Sequence, residues 1–263
     1  MGSDNKKTQP LLSVIITAYQ AEKFLEECLQ SVALSSYQNL QIVLVDDGST
    51  DNTADICDRW AKRDPRISYY PRPHEGRISS LVFAHEHAEG AAQCVVDADD
   101  RVKPGAFTRS ISKLSNSHQL VYTYRDLIDP DGNFIRSHSK NKIEYRPLQI
   151  LVDNMIFHLR TFTTDLFVES GGVGRFERCE DWDQNLRMSE HTSVRCIPQA
   201  LYEYRLHENQ ISRTPQQNEE GAIAVRDAIE RRNLKLDLVV DDNGFHIKKR
   251  STPAPLALPE IQK

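Results

Sequence analysis

Long apolar runs are missing from this sequence. None of the 263 residues belongs to an uninterrupted apolar stretch of about 18 residues, the length that a membrane-spanning helix needs, so no transmembrane segment is predicted. Residues 1–10 are polar and lack the apolar centre of a signal peptide. We therefore expect a disordered N-terminus over 1–10 and a cytoplasmic protein that is at most peripheral to a membrane.

Cysteines are also few, and the sequence has no net positive charge. The five cysteines are odd in number and contain no Cys-x-x-Cys pair, which favours reduced, buried thiols over disulfides or a zinc site. The formal net charge of −5 argues against a general nucleic-acid binder, so no nucleic-acid partner is expected. A phosphate ligand is compatible with this charge, because one site needs only a cation and a few hydrogen-bond donors.

The first hundred residues alternate short β-branched apolar runs with segments of helical spacing. Strands are predicted at 11–17, 41–45, 67–70 and 94–96, and helices at 21–32, 53–62 and 78–88. This alternation is typical of an α/β fold with a mostly parallel sheet flanked by helices. Ligands of such sheets bind beyond the carboxyl ends of the strands, which directs attention to the residues after Thr17, Val45 and Val96.

Beyond residue 105 the alternation of predicted strands and helices becomes less regular. Helices are predicted at 104–114, 181–190 and 222–232, and strands at 120–124, 194–197 and 201–205. A polar linker is predicted at 214–219, and a hairpin at 236–240 and 245–248 around Asp242-Asn243-Gly244.

Three carboxylates follow the predicted strand at 94–96, namely Asp97, Asp99 and Asp100. Clustered carboxylates repel one another and lose hydration, so they usually persist where a cation compensates them. Oxygen ligands of this kind suit Mg²⁺ or Mn²⁺, which bridge the oxygens of a diphosphate. A solvated turn that caps the next helix is the alternative, and the position at a strand end favours the metal site.

A second acidic turn, Asp46 to Asp51, follows the predicted strand at 41–45. A carboxylate there could accept a hydrogen bond from a base N–H or a ribose hydroxyl. Helix capping would explain Thr50 or Asp51, but it would not explain the pair Asp46 and Asp47.

These motifs, taken in order, resemble those of the family 2 inverting glycosyltransferases, which have the GT-A fold. The matching segments are 14–19, 45–51, 97–100, the pair Glu180-Asp181 and 204–212, so the resemblance covers about residues 11–213. It implies a nucleotide-sugar-binding half at 11–100 and an acceptor-binding half of the same GT-A domain at 101–213. Residues 214–263 would form a small C-terminal appendage and tail.

Roles at the site are implied by this resemblance, position by position. Tyr19 would lie near the base, and Asp47 would hydrogen-bond it, commonly as uracil. The implied nucleotide-binding set is Thr17, Ala18, Tyr19, Asp46, Asp47, Asp97, Ala98 and Arg205, with Arg205 placed to stabilise phosphate charge. The implied metal ligands are Asp97, Asp99 and His207. Asp181 would be the general base.

One stretch departs from the family pattern. His74-Glu75-Gly76 stands where the family often has Asn-x-Gly, and Ser80-Leu81-Val82 replaces the common Ala-Arg-Asn, so a donor contact usually made by that arginine is missing. Arg77 is a candidate substitute, as a cation for the diphosphate or the base. The alternative is an ordinary solvated arginine at a helix start.

The residues alone leave other assignments open. Glu180 and Asp183 would share one helix face while Asp181 points elsewhere, so the choice of Asp181 as base rests on the resemblance. His207 is one of nine histidines, and a lone histidine is more often structural than a metal ligand. Trp182 could offer a face for sugar stacking or pack in the core.

The predicted activity is inverting transfer of a sugar from a nucleotide-sugar, a UDP-sugar by preference, with Mn²⁺ or Mg²⁺ as cofactor. The acceptor would be a hydroxyl of a saccharide, a glycolipid or a small metabolite. One alternative is a nucleotidyltransferase acting on a sugar phosphate, which should carry a Gly-rich or basic triphosphate loop that residues 17–22 lack. Another is a non-catalytic sugar-nucleotide-binding module, against which the set Asp97, Asp99, Asp181 and His207 argues.

Overall fold

The computed structural model describes residues 9–138, 144–208, 215–241 and 244–250. Within these ranges one large sheet contains the strands β1 (Leu12–Ala18), β2 (Leu40–Asp46), β3 (Ile67–Pro71), β4 (Ala92–Val95), β5 (Arg101–Val102), β6 (Leu120–Ile128), β7 (Phe134–Ser137), β8 (Arg160–Thr163) and β9 (Val194–Arg205). The helices are α1 (Leu25–Ala33), α2 (Thr53–Arg63), α3 (Arg77–Glu86), α4 (Ala106–Lys113), α5 (Thr164–Glu169), α6 (Glu180–Met188) and α7 (Pro215–Arg231).

The strand order is β3-β2-β1-β4-β8-β6-β9-β5, with β7 paired to β6. The first four strands are parallel, which confirms the α/β fold predicted from the alternation in the first hundred residues. Side chains alternate between the two faces of β1: Val14 and Ile16 pack in the cluster with α1 and α2, whereas Ile15 packs with Leu81 of α3. Burial on both faces explains why these strands read as continuous apolar runs.

The second half of the sheet is mixed. β8 lies antiparallel between β4 and β6, and β9 runs parallel to β6. The predicted strands at 194–197 and 201–205 are one continuous strand, β9, whose pairing with β6 shifts register beside Tyr124. Such an irregularity breaks the alternation of apolar and polar residues, which is why the sequence suggested two strands.

The C-terminal segment forms α7 and the antiparallel hairpin β10 (Leu236–Asp241) and β11 (Gly244–Lys249), which confirms the hairpin. The linker predicted at 214–219 is wrong from Pro215 onward, because α7 begins there. Proline is well tolerated at a first helical position, where its missing N–H would have no partner. Residue 214, the turn at 242–243 and the tail from 252 lie outside the described residues.

Cysteines and tryptophans occupy the interior. All five cysteines are free, and four of them are buried while Cys196 is half-buried, which agrees with the prediction of reduced thiols. Trp60 is buried between its helix and the sheet. Trp182 is buried in a second core that includes residues of α7 and the hairpin, so of the two alternatives left open by the sequence the structure favours packing in the core. In the described ranges, no helix combines the length and apolar character needed to cross a membrane.

Candidate active site

Three loops meet at the carboxyl edge of the parallel strands, where the sequence predicted a site. The Asp47 N–H donates to the carbonyl of Ala18 at 2.9 Å, and the Val96 N–H donates to the carbonyl of Ile15 at 2.9 Å. The loops that follow β1, β2 and β4 therefore lie side by side. Two of them are the acidic turns that the sequence singled out.

Asp97 is enclosed by two cationic or potentially cationic side chains. Arg77 Nη2 lies 2.9 Å from Asp97 Oδ1, and His158 Nε2 lies 3.5 Å from Asp97 Oδ2. Burial acts to raise the pKa of Asp97, but the charges of Arg77 and His158 and the hydrogen bond from Arg77 outweigh it and hold the pKa well below its usual range. Asp97 is therefore ionised and already engaged by its own chain.

Arg77 joins the turn after β4 to the start of α6. Its Nε donates to Glu180 Oε1 at 2.9 Å, across 103 positions of sequence, while Nη2 holds Asp97. Burial acts to lower the pKa of the guanidinium, but the two carboxylates raise it well above the usual value. The interpretation of Arg77 as a solvated helix-start residue is thus wrong, and its charge lies at the centre of the site.

Asp99 and His207 form a hydrogen-bonded and partly open pair of metal-type ligands. Their Oδ2 and Nε2 atoms lie 2.8 Å apart, with 31% of the Asp99 side chain exposed. Two ligands that bind an ion side by side at about 2.1 Å are about 3 Å apart. The chemistry and spacing of these two atoms would therefore suit a divalent cation.

The three-residue metal set expected from the sequence is not formed. Within the described part of the chain, no three His, Cys, Asp or Glu side chains are grouped to hold a metal ion. Asp97 is directed to Arg77 and His158 instead, so its expected role as a direct ligand is corrected.

Arg205 differs most from its expected role. The side chain is 0% exposed, and it donates to the carbonyl oxygens of Asp99 and Pro130 at 2.7 and 2.8 Å and to Glu27 at 2.8 Å. Its backbone N–H also donates to Asp100 Oδ1 at 2.8 Å. The expected contact with donor phosphate is therefore wrong. Arg205 shapes the turn that presents Asp99.

Asp46 and Asp47 are likewise committed to their own chain. Asp46 Oδ1 accepts the N–H and the hydroxyl of Ser49, at 3.1 and 2.5 Å. The Asp47 carboxylate, with 5% of its side chain exposed, accepts two N–H groups and one hydroxyl, which belong to Glu75, Gly76 and Ser80. His74 Nδ1 lies 2.8 Å from Asp47 Oδ2 and 3.0 Å from the Asp47 carbonyl oxygen, to which it hydrogen-bonds. The expected hydrogen bond between a base N–H and Asp47 is not supported, because the carboxylate is buried and already accepts three hydrogen bonds from its own chain.

The donors to Asp47 hold the 74–76 loop against the first acidic turn. Gly48 allows this approach: its φ is +73°, and an added Cβ would lie 2.6 Å from the backbone nitrogen of His74. The His74 ring stacks on Tyr19 with centroids 4.2 Å apart and an interplanar angle of 18°. Tyr19 is 49% exposed, so the pair presents a flat aromatic face at the edge of the site.

The other expected nucleotide-binding residues differ in accessibility. Thr17 is half-buried near the end of β1. Ala18 and Ala98 are buried in the main core cluster, so their methyl groups pack inside the protein and their expected place in the nucleotide pocket rests on their backbone groups.

The start of α6 separates the three candidate bases. Asp183 is 0% exposed and lies 3.1 Å from both Arg175 and Arg187, so it is structural. Glu180 is buried against Arg77; burial raises its pKa, and Arg77 offsets part of that rise. Asp181 is half-buried, and its carboxylate accepts hydrogen bonds from two neutral donors, Asn154 Nδ2 at 2.9 Å and the Trp182 N–H at 2.7 Å.

Sequence reasoning missed Asn154 and Tyr202, and it did not foresee that His158 contacts Asp97. His158 lies beside Asp97, and Asn154 orients Asp181. The Tyr202 hydroxyl accepts the Asp97 N–H at 3.1 Å. Their contacts span 27 to 105 positions and depend on the antiparallel strands, so no local pattern signals them.

Comparison with known proteins gives consistent results. A family model described as Glycosyl transferase family 2 matches residues 13–171. The chondroitin synthase of Pasteurella multocida (strain Pm70) is 26% identical over 201 residues, which are 75% of this chain and 21% of that synthase. The chain thus spans about a fifth of the length of this relative.

Solved structures show the same fold. S. aureus TarS in complex with UDP-GlcNAc matches with a TM-score of 0.71 at 19% identity, over 86% of this chain and 68% of that one. The mannosyltransferase PcManGT of Pyrobaculum calidifontis, in complex with GDP-Man and Mn²⁺, matches with a TM-score of 0.63 at 18% identity, over 86% and 65% of the two chains. These likenesses confirm the GT-A fold that the motif order predicted.

Proposed function

Because the chain belongs to Glycosyl transferase family 2, we propose that it transfers a sugar from a nucleotide-sugar donor to an acceptor hydroxyl with inversion at the anomeric carbon. One observation carries the proposal: Arg77 connects Asp97, at the end of β4, with Glu180, at the start of α6. This contact brings the acidic turn and the expected catalytic helix into a single site.

The donor would lie along the carboxyl edge of the sheet. The exposed Tyr19 ring, supported from behind by His74, offers a stacking surface for the base. The positive charge of Arg77 is available to the diphosphate if its bridge opens. Asp99 and His207 would hold Mn²⁺ or Mg²⁺, and the ion would offset negative charge on the departing diphosphate.

Asp181 would remove the proton of the acceptor hydroxyl. Its two oxygens are held by Asn154 and by the Trp182 backbone, which fixes their direction without neutralising their charge. Asp183 is excluded by its two arginine partners, and Glu180 is engaged by Arg77. A positioned carboxylate of this kind contributes about 10² to 10⁴ in rate.

A UDP-sugar is the donor that we propose. The preference rests on the family resemblance and on the likeness to TarS, which was solved with UDP-GlcNAc, and it no longer rests on Asp47. PcManGT was solved with GDP-Man, so guanine is the alternative to test. The acceptor would be a saccharide, a glycolipid or a small metabolite.

A donor panel tests the proposal. Calorimetric titrations of UDP, GDP, CDP and ADP, each with Mn²⁺ and with EDTA, should show the tightest binding for UDP with Mn²⁺. Nucleotide release from the matching sugar donors should then rise when acceptor saccharides are added. Tightest binding of GDP would change the donor, equal affinity in EDTA would remove the metal, and diphosphate release from a nucleoside triphosphate would indicate a nucleotidyltransferase. Binding without turnover of any donor would indicate a binding module.

A further inference from the structure

The tryptophan that follows the proposed base is fixed on three sides. Its indole Nε1 donates to the carbonyl of Ile150 at 2.7 Å, and its ring meets Phe245 of β11 edge-on, with centroids 5.2 Å apart. Its backbone N–H donates to Asp181. The indole thus connects the start of α6 to the 150–154 segment, which also supplies Asn154, the second donor to Asp181.

Helix α7 closes the third side of this indole through a glycine. A Cβ added at Gly221 would lie 2.9 Å from Cζ3 and 3.2 Å from Cε3 of Trp182. Contacts below 3.0 Å require an atom to move, so only glycine lets α7 approach the ring this closely. Glycine is otherwise an unfavourable residue inside a helix, by about 0.5–1 kcal/mol relative to alanine. Its presence at this position fits a packing requirement.

Two polar contacts connect α7 to the loop before α6. Glu220 Oε2 accepts the N–H of Arg178 at 2.7 Å. Arg175 Nη2 donates to Asp227 of α7 at 2.7 Å and to Asp183 of α6 at 3.1 Å. The appendage therefore holds both the loop that leads into α6 and the first turn of the helix.

We infer that α7 positions the proposed general base, with Gly221 as the positioning residue that sets the place of Trp182 and, through it, the direction of the Asp181 carboxylate. This inference rests on the proposed function, because it takes Asp181 to be the base. It gives the C-terminal appendage a role in transfer, although the described part of α7 lies outside the carboxyl edge of the sheet.

Gly221→Ala tests the inference in the full chain. The methyl group should displace the indole and lower kcat by about tenfold, since misplacement of a catalytic group by a fraction of an ångström is costly. The dissociation constant of UDP with Mn²⁺ should stay within about twofold of the wild-type value, because the donor site is on other elements. Ile223→Ala, at an exposed position of the same helix, is the matched control and should leave both constants unchanged.

A double mutant separates positioning from a general loss of structure. Phenylalanine lacks the indole atoms that the new Cβ would meet, so Trp182→Phe combined with Gly221→Ala should exceed the kcat expected from the product of the two single effects. A kcat loss without this coupling would overturn the inference. If Gly221→Ala does not fold, Glu220→Ala tests the inference instead, because it removes the contact of α7 with the Arg178 N–H. Its kcat should fall by about threefold at unchanged UDP affinity.

Asp181→Asn, measured in parallel, separates a failure of the proposed base assignment from a failure of the proposed role of α7. If Asp181→Asn keeps the wild-type kcat, the assignment of the base in the proposed function is wrong, and the inference falls with it. If Asp181→Asn loses transfer while Gly221→Ala keeps the wild-type kcat, the proposed function stands and only the role of α7 is overturned.

Discussion

Asp46 and Asp47 follow β2 in the same way that Asp97 and Asp99 follow β4, yet the two pairs of carboxylates have different surroundings. The first pair accepts hydrogen bonds from its own loops and is nearly inaccessible. In the second pair, Asp97 faces Arg77, while the Asp99 carboxylate contacts His207 and is partly open. The turn at Asp46 to Asp51, called the frame below, therefore holds neighbouring loops in place. The turn at Asp97 to Asp100, together with the start of α6 that Arg77 connects to it, presents the reactive groups and is called the reactive side.

Acidic residues at the end of a strand are therefore not by themselves a catalytic or binding site. Chemistry requires oxygens that are still available, or that are paired with a group able to exchange its partner for substrate. The frame positions the aromatic pair, because the groups that bind Asp47 hold the 74–76 loop, and this loop stacks His74 on Tyr19.

The largest effect is expected at α6, which belongs to the reactive side. Asp181→Asn keeps the shape of the side chain but removes the base, so transfer should fall by about 10² to 10⁴ while UDP affinity changes little. Steady-state transfer and calorimetry measure the two quantities. Glu180→Gln is the matched variant: if it loses more kcat than Asp181→Asn does, Glu180 is the base.

The second-largest effect is expected at the frame, as a lower free energy of unfolding. Asp47→Asn directs an amide group at donors that need an acceptor, so the free energy of unfolding should drop by about 2–3 kcal/mol. Urea denaturation measures the drop, and Asp131→Asn, at an exposed position, is the control. Unchanged stability together with lost donor binding would show that Asp47 contacts the substrate after all.

The smallest effect is expected at the aromatic pair. Removing the ring in Tyr19→Ala should weaken UDP binding by about tenfold, in line with about 1–3 kcal/mol for a stacked base. Tyr19→Phe keeps the ring and should bind UDP almost as the wild type does. Equal affinity for the alanine and phenylalanine variants would place the base elsewhere.

Much of the fold follows from local pattern. The parallel strands β1 to β4 are short apolar runs, and the helices between them have clear helical spacing, so each was predicted within a few residues. The short strands β5, β7 and β8 were missed. β5 and β8 are defined by distant pairing, such as that of Arg101 with Glu203, which the local sequence does not record. β7 pairs locally with β6, but its four residues are exposed, so it lacks the apolar signal of a strand.

At the site, residue type and strand position located the correct edge of the sheet but not the partners. Arg205 was expected at the phosphate because the family resemblance implied it, whereas its burial against Glu27 and backbone carbonyls depends on tertiary packing. Arg77 shows the opposite case. Only the fold reveals that one arginine reaches both Asp97 and Glu180.

The most direct test of the contrast between the two turns is calorimetric titration of Mn²⁺ in the presence of UDP. Wild type, Asp99→Asn and Asp47→Asn are compared at a temperature where all three are folded. The account predicts that Asp99→Asn weakens Mn²⁺ binding by about 10-fold to 100-fold or more, while Asp47→Asn binds Mn²⁺ as the wild type does. Retained affinity in Asp99→Asn, or a loss confined to Asp47→Asn, would contradict the account.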